Sequence, residues 1–423
     1  MEYIKKEMGA YNLHLIKTKD FKTNRISISF KEPIVKENIT KIKVLENILL
    51  LSNKTYQDSR DVAIKQEDLY DTIIDMFNNR VGNYNNLIVY MKALNDKYSE
   101  KGNFNKALDF LQDIIFNPDI ENNKFKKDKF IIARDKVKAE ILNAKEDSAF
   151  YAYYRAMEAF DKNSAIAYNS LGYVDDLDSI DEANLYKYYL ELIKSSLIDI
   201  FVVGDIDSDE ITNYFRNNFK IRTFKKQRLD YNLATFKPRH LKLIAKETSN
   251  YKQSRLIAIC PLPKLSSYEA KYVSYVYNFI LGGSSQSHLF LDVREKHSLC
   301  YGIGSSYDIL DNTLVIHAGI DKDNFKETCN LIEQNIKNLR LGKFNLDEIK
   351  SGIEDFNTIL DSILDSQGAI IENYFKIALN IGDDIETSRE SISKVSKNDI
   401  IKLAKKIKID TIYLLEGDKN GRN

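Results

Sequence analysis

The chain has 423 residues, 43% of them hydrophobic and 29% charged, and its 62 Lys and Arg residues balance 62 Asp and Glu. Such a length fits about two to four domains, and the composition is that of an ordinary soluble globular protein. A net charge of zero supplies no overall field to draw nucleic acid or an anionic membrane, so neither is expected as a partner.

The first residues, MEYIKKEMGAYNLHLIKTKD, carry charges throughout and lack the apolar core and cleavage site of a signal peptide. No stretch approaches the roughly 18 consecutive apolar residues of a spanning helix. NRISISF (Asn24–Phe30) is a β-rich run, and ITKIKVLENILLL (39–51) follows as an apolar helix. Within that helix Lys43, Glu46 and Asn47 fall at i, i+3 and i+4 and so share one face, while the other faces are almost entirely Ile, Leu and Val. With His at the first and last of these positions KVLEN would read H-x-x-E-H, a zinc-peptidase helix. The residues leave two readings open: a metal helix that has lost its ligands, or a plain helix with a Lys43–Glu46 pair on a solvated face.

RVGNYNNLIVYMKALNDKY (80–98) reads as a turn and an alternating strand, and NFNKALDFLQDII, from Asn103, has helical spacing. LIDIFVVGDID, around Gly204, is an apolar strand ending in Gly-Asp. The basic stretch FKKQRLDYNLATFKPRHLKLIAKE, with Pro238, has little periodicity until its end, where an extra strand is expected near 240–246. Beyond it the same signals recur in the same order. SRLIAIC (Ser254–Cys260) answers NRISISF, YNFILGG answers LENILLL, NFKETCNLIEQNI answers the Asn103 helix, and DTIYLLEGD answers the Gly204 strand. A repeat of about 200 residues is far longer than a solenoid unit of roughly 20–50, so it implies duplication of a domain. The expected architecture is α+β: two homologous halves in tandem, 1–222 and 245–423, joined by a linker at 223–244. Each half is a mixed or antiparallel sheet covered by helices, with strand pairs joined by short turns such as ILDNT (309–313).

The second half holds the sharper motif, FILGGSSQSHLFLDVREKHSLCYG (279–302). An apolar helix ends at Gly282-Gly283, and Ser284–Ser287 supplies capping residues for a new helix through about Lys296. Arg294 lies one turn from that helix's end and Tyr301 opens a strand seven residues later. So placed, the guanidinium is suited to bind a peptide carbonyl and the phenol to support an oxyanion. On the residues alone, a solvated Arg and a strand Tyr are the simpler explanation. His288 and Asp292 stand at i, i+4, a spacing better explained by a surface contact than by a ligand pair. Cys260, Cys300 and Cys329 form no metal-type pair or disulfide framework.

GGSSQSHLFLDVREKHSLCYG resembles the second-half signature of the insulinase/pitrilysin family of zinc metallopeptidases, in which Gly-Gly, a Ser-x-Leu-Phe run and Arg-Glu precede L-x-Y. LIDIFVVGDID and LGYVDDLDSIDEANLYKYY resemble the end of that family's first half, and the resemblance runs over nearly the whole chain. Active members carry H-x-x-E-H on the first long helix, two His binding zinc, the Glu acting as general base, and a distal Glu supplying a third ligand. By this resemblance KVLEN is the metal helix with Glu46 at the base position and Lys43 and Asn47 where the His ligands stand. Glu140, in ARDKVKAEILNAKED, matches the distal ligand, at a longer separation than the family's usual one and with Ala133 where a further carboxylate often stands. A Lys ammonium, with a pKa near 10.4, offers zinc no lone pair, and Asn is a poor ligand beside imidazole. No zinc is therefore expected on this chain. Lys43 is expected to take the metal's place and neutralise Glu46 and Glu140. The strand at 80–98 occupies the place of the family's peptide-binding edge.

Family members of this size pair to enclose a peptide chamber, and in split pairs one chain supplies zinc and base while the other supplies Arg and Tyr. The resemblance thus implies a non-zinc subunit of a heterodimeric peptidase, inactive alone, with Arg294 and Tyr301 acting at the zinc of an H-x-x-E-H-bearing homologous subunit on a peptide substrate. A homodimer is the arrangement open to the chain when alone. The alternative is a non-catalytic peptide-binding or scaffold protein. An independent hydrolase has little support, since there is no G-x-S-x-G elbow or P-loop. With no signal peptide and scattered cysteines, the expected location is the cytoplasm.

Overall fold

The structure is a computed structural model that describes residues 1–221, 236 and 238–418. The chain forms two units, neither of them one continuous stretch of sequence. The first comprises Met1–Asn143, Asn169–Asp230 and Ser366–Ile371; the second comprises Ala144–Tyr168, Tyr231–Asp365 and Glu372–Asn423. The linker expected at 223–244 lies largely outside the described residues.

In the first unit β1 (Glu2–Glu7), β2 (Asn12–Lys17) and β3 (Thr23–Pro33) lead into α1 (Lys36–Leu51) and α2 (Ser59–Asp68). There follow β4 (Ile73–Val81), β5 (Tyr84–Leu94), α3 (Asn103–Phe116), a two-rung hairpin of β6 (Ile120–Glu121) and β7 (Lys124–Phe125), and α4 (Lys127–Ala144). After α5 (Ser148–Asp161), which belongs to the second unit, α6 (Glu182–Ser195), β8 (Leu197–Gly204) and α7 (Ser208–Asn218) complete it. The sheet order is β1-β2-β8-β3-β5-β4. Central β3 is antiparallel to β5 and β8, and β8 is parallel to β2. Alternation in NRISISF sends Ile26, Ile28 and Phe30 into the core beneath the helices and turns Ser27, Ser29 and Lys31 to the opposite face. α1 is buried nearly all round, through Ile39, Ile42, Val44, Leu45, Ile48 and Leu49, because it sits inside this core rather than on its surface.

In the second unit β9 (Leu243–Thr248) and β10 (Ser254–Pro261) precede α8 (Ser274–Asn278), which is flanked by π-helical turns at Glu269–Val273 and Phe279–Gly283. A further π-helical segment, Phe290–Lys296, leads into β11 (Cys300–Asp308) and β12 (Thr313–Ile320). α9 (Phe325–Arg340), α10 (Leu346–Ile363), α11 (Gln367–Ala378, its first residues grouped with the first unit), α12 (Ile385–Ile392), α13 (Lys397–Lys406) and β13 (Thr411–Glu416) follow. The sheet order is β11-β12-β10-β13-β9, with β10 antiparallel to β12 and β13, and β13 parallel to β9. Among the described residues this is the first unit's main sheet strand for strand, with β1 added: β4, β5, β3, β8 and β2 correspond to β11, β12, β10, β13 and β9. The duplication is thus written in hydrogen-bond topology, and the strand expected near 240–246 is the counterpart of β2.

One face of the second sheet carries the helical core of Leu256, Val276, Leu289, Ile316 and Leu414. The other is covered by α5, whose Ala152, Ala156, Met157 and Phe160 meet Ile257, Ile259, Tyr413 and Leu415. α5 is capped by Asp147, which accepts from Ala149 N and Phe150 N. It is fastened to the sheet by Glu247, which accepts from Tyr151 Oη (2.6 Å), Tyr413 Oη (2.7 Å) and Arg155 Nε (2.9 Å).

Candidate functional site

Lys43, Glu46 and Asn47 share one face of α1, as their spacing requires, and that face is not solvated. Glu46 is 4% exposed and Asn47 is 7% exposed, which removes the reading of a pair on an open helix surface. Lys43 Nζ forms an ion pair with Glu46 Oε1. Glu46 Oε2 accepts from Asn78 N on β4 at 2.8 Å, and Asn47 Nδ2 donates back to Lys43 O at 3.0 Å. Burial pushes the Glu46 carboxyl up to about 7; Lys43 and the Asn78 amide oppose the rise, and the charge of Glu140 adds to it. Glu140, half-buried on α4, is therefore electrostatically part of this site. Lys43 neutralises Glu46, yet among the described residues no ion pair joins it to Glu140, so only half of the expected neutralisation is realised.

The donor set does not fit zinc. The first ligand position holds an ammonium committed to Glu46, the second an amide whose nitrogen is spent on α1's own backbone, and both Glu46 oxygens are engaged. Among the described residues no group of three or more His, Cys, Asp or Glu side chains is placed to hold a metal ion.

The expected peptide-binding edge requires a correction. Residues 84–94 form β5, which has β3 and β4 on its two sides; among the described residues the outermost strand at that end of the sheet is β4, residues 73–81. The chain reverses through Gly82 and Asn83, Gly82 at a φ of 57°, so the outermost strand precedes the turn rather than follows it. One outward amide of that edge, Asn78 N, is already occupied by Glu46.

Arg294 and Tyr301 lie in the second unit. Gly282 lets the preceding helix end pass over β11, since a Cβ there would stand 2.6 Å from Ser305 Oγ and 2.8 Å from Ser305 N. The Arg294 guanidinium sits 4.7 Å from the Phe290 ring centroid, one turn earlier, and its side chain is 43% exposed. Tyr301 is the extra residue of a β-bulge: Cys300 pairs with Ile320 and Gly302 with Gly319, leaving Tyr301 unmatched. A bulge re-aims its side chain, and Tyr301 is 68% exposed. The π-helical segment packs against β11, and the positive charge of Arg294 reaches Cys300, whose thiol burial lifts to about 11. Nothing in the sequence announced the bulge, because it shows only in the pairing. His288 pairs with Glu348, at 2.7 Å, while Asp292 accepts from Asn335 Nδ2 at 2.8 Å, so the two do not act as a pair.

A duplicated α+β fold whose described residues place no group of side chains to hold a metal is the arrangement expected of a metallopeptidase homologue without its own zinc site. The comparisons agree. Residues 179–354 match the family described as "Peptidase M16 inactive domain". The chain is 27% identical over 420 residues to "Probable inactive metalloprotease YmfF" of Bacillus subtilis, covering 98% of this chain and 97% of that one. It is 23% identical over 280 residues, 66% of each chain, to "Uncharacterized zinc protease YmxG" of the same organism. Among solved structures, a conserved protein from Enterococcus faecalis superposes with a TM-score of 0.91 at 26% identity, covering 99% of both chains. Over nearly its whole length the chain is thus similar to M16, or insulinase/pitrilysin, peptidases, and to ones described as inactive. No described helix is long and apolar enough to cross a membrane.

Proposed function

We propose that this chain is the non-zinc subunit of a heterodimeric cytoplasmic metallopeptidase, supplying Arg294 and Tyr301 to a peptide bound at the zinc of an H-x-x-E-H-bearing partner. The observation that carries the reading is the contrast between its two motifs. The α1 site is closed on itself, with Lys43, Glu46 and Asn47 satisfied internally. Arg294 and Tyr301 remain open to solvent, Tyr301 on a bulge that frees its phenol from the sheet. In such a shared site the guanidinium holds a substrate carbonyl, and the phenol donates a hydrogen bond to the oxygen that gains charge in the transition state. The similarity to a protein named a zinc protease supports a partner of that kind.

The test is hydrolysis of a mixed peptide library by this chain, by an H-x-x-E-H homologue from the same genome, and by an equimolar mixture. Cleavage that requires the mixture and falls about 100-fold or more with Arg294→Ala or Tyr301→Phe supports a shared site. A homologue that cleaves equally well alone refutes it and leaves the chain as a peptide-binding or scaffold protein.

A further inference from the structure

The face of the second sheet under α5 contains a cavity of about 420 Å³ that none of the motifs above uses. Its origin lies in the strand register. β11, β12 and β10 place Gly302, Gly319 and Arg255 side by side in one row, and Gly304, His317 and Ile257 in the next. Glycine at three of these six positions removes the side chains that would fill the pleat. α5 roofs the sheet farther along, and its first turns, at Ala149 and Tyr153, form the cavity's wall.

Two nitrogen-bearing side chains converge there. Arg255 and Gln253 both reach over Gly319, where an added Cβ would come within 2.9 Å of Arg255 Nη1 and 2.8 Å of Gln253 Oε1. The imidazole of His317 lies across Gly304, with Cε1 and Nε2 both 3.1 Å from the corresponding point. The two are diagonal neighbours on adjacent strands, roughly 7 Å apart at Cβ. Arg255 Nε donates to Ser148 Oγ at 2.9 Å, and among the described residues its two Nη groups have no hydrogen bond or ion pair. Among the described residues, no Asp or Glu lines the cavity. The one carboxylate whose charge Arg255 feels, Asp147, is spent capping α5. Among the described residues this half-buried guanidinium has no ion-paired carboxylate and the imidazole facing it across the open trough has no hydrogen bond, an arrangement suited to an anion.

We propose that this trough is a binding site for a carboxylate group, held by the Arg255 Nη pair and hydrogen-bonded by His317. Charge selects the class. Burial and the neighbouring guanidinium both lower the His317 pKa, so the imidazole is neutral at neutral pH and the trough offers one formal positive charge. One charge with a planar fork matches a monoanionic carboxylate rather than a phosphate dianion. The carboxylate comes either from the C-terminus of a peptide or from a small organic acid. The site requires no partner subunit and stands whether or not the shared-peptidase reading holds.

The test is fluorescence anisotropy on the full chain alone, with fluorescein-labelled Ala-Leu-Ala-Leu as the free acid and as the C-terminal amide. Acetate and inorganic phosphate serve as competitors. The free acid is expected to bind at least about tenfold more tightly than the amide, and Arg255→Gln to abolish that preference. Gly302→Val, whose Cβ enters open space, is expected to fold and to block the trough, and it decides the matter if Arg255→Gln fails to fold. Acetate that displaces the peptide only at much higher concentration identifies a peptide terminus as the source; acetate equally effective per molecule identifies a small acid, and either supports the site. Equal affinity for acid and amide, no binding of either probe, unchanged binding by folded Gly302→Val, or phosphate competing better than acetate overturns it.

Discussion

The buried Glu46 makes the stability of this protein depend on pH in a direction that one substitution isolates. Its folded-state pKa is about 7 against an ordinary value of 4.5, a difference worth about 3 kcal/mol at 1.36 kcal/mol per unit. The native state holds the proton more tightly than the unfolded chain, so stability is greatest below pH 4.5. It falls as pH rises and is level again above about 7. Glu46→Gln keeps the shape and cannot titrate. Urea unfolding followed by far-UV circular dichroism, at steps from pH 4.5 to 8, compares the variant with the parent, and titrations elsewhere cancel in the difference. The stability of Glu46→Gln relative to the parent is expected to rise by about 3 kcal/mol across that window, whatever its offset from leaving Lys43 unpaired. A difference that stays flat with pH, or falls, refutes the account of Glu46 as a desolvated carboxylate that its Lys43 partner only partly stabilises.

Restoring ligands with Lys43→His and Asn47→His together should recruit about one zinc per chain, detectable by mass spectrometry after dialysis, and Glu140→Ala in that background should lose it; zinc bound equally without Glu140 removes that residue from the third-ligand position. Glu247→Gln weakens the two hydrogen bonds that fasten α5 and a third, from Tyr413, within the sheet, at an expected cost of roughly 2 kcal/mol at pH 7. Because Tyr151 and Arg155 hold the Glu247 carboxyl below its ordinary 4.5 despite its burial, that advantage is present above the unfolded pKa. It is lost as pH falls through the folded pKa, so the urea midpoints of parent and variant should converge in acid. Gly282→Ala brings a methyl against Ser305 Oγ and backbone N together and should lower the melting temperature by an amount equivalent to about 1–3 kcal/mol; a neutral result would mean that the helix end is free to lift from β11.

Much of this is legible in the amino-acid sequence. Alternation in NRISISF and SRLIAIC, helical spacing after Asn103 and Asn324, and two apolar strands ending in Gly-Asp are local signals, and their repeated order announced the duplication and the α+β class. The same is true of Lys43, Glu46 and Asn47 on one helix face, because i, i+3 and i+4 fix angular position whatever the surroundings. That Lys and Asn suit zinc poorly was likewise readable from side-chain chemistry alone; that His would stand at those positions was implied only by the resemblance.

What only the tertiary structure decided depends on neighbours distant in sequence. Whether the Lys43 face was wet or dry turned on β4 closing over it, and burial sets the Glu46 pKa. Sequence pattern placed the peptide edge at 80–98, yet an edge is defined by the absence of a partner, which no single strand encodes. The grouping of α5 with the second unit, the bulge that frees Tyr301 and the glycine row beside Arg255 are likewise matters of pairing and register. Local periodicity determines which residues share a face; long-range pairing decides what that face meets, and with it charge state, exposure and the room left for a ligand.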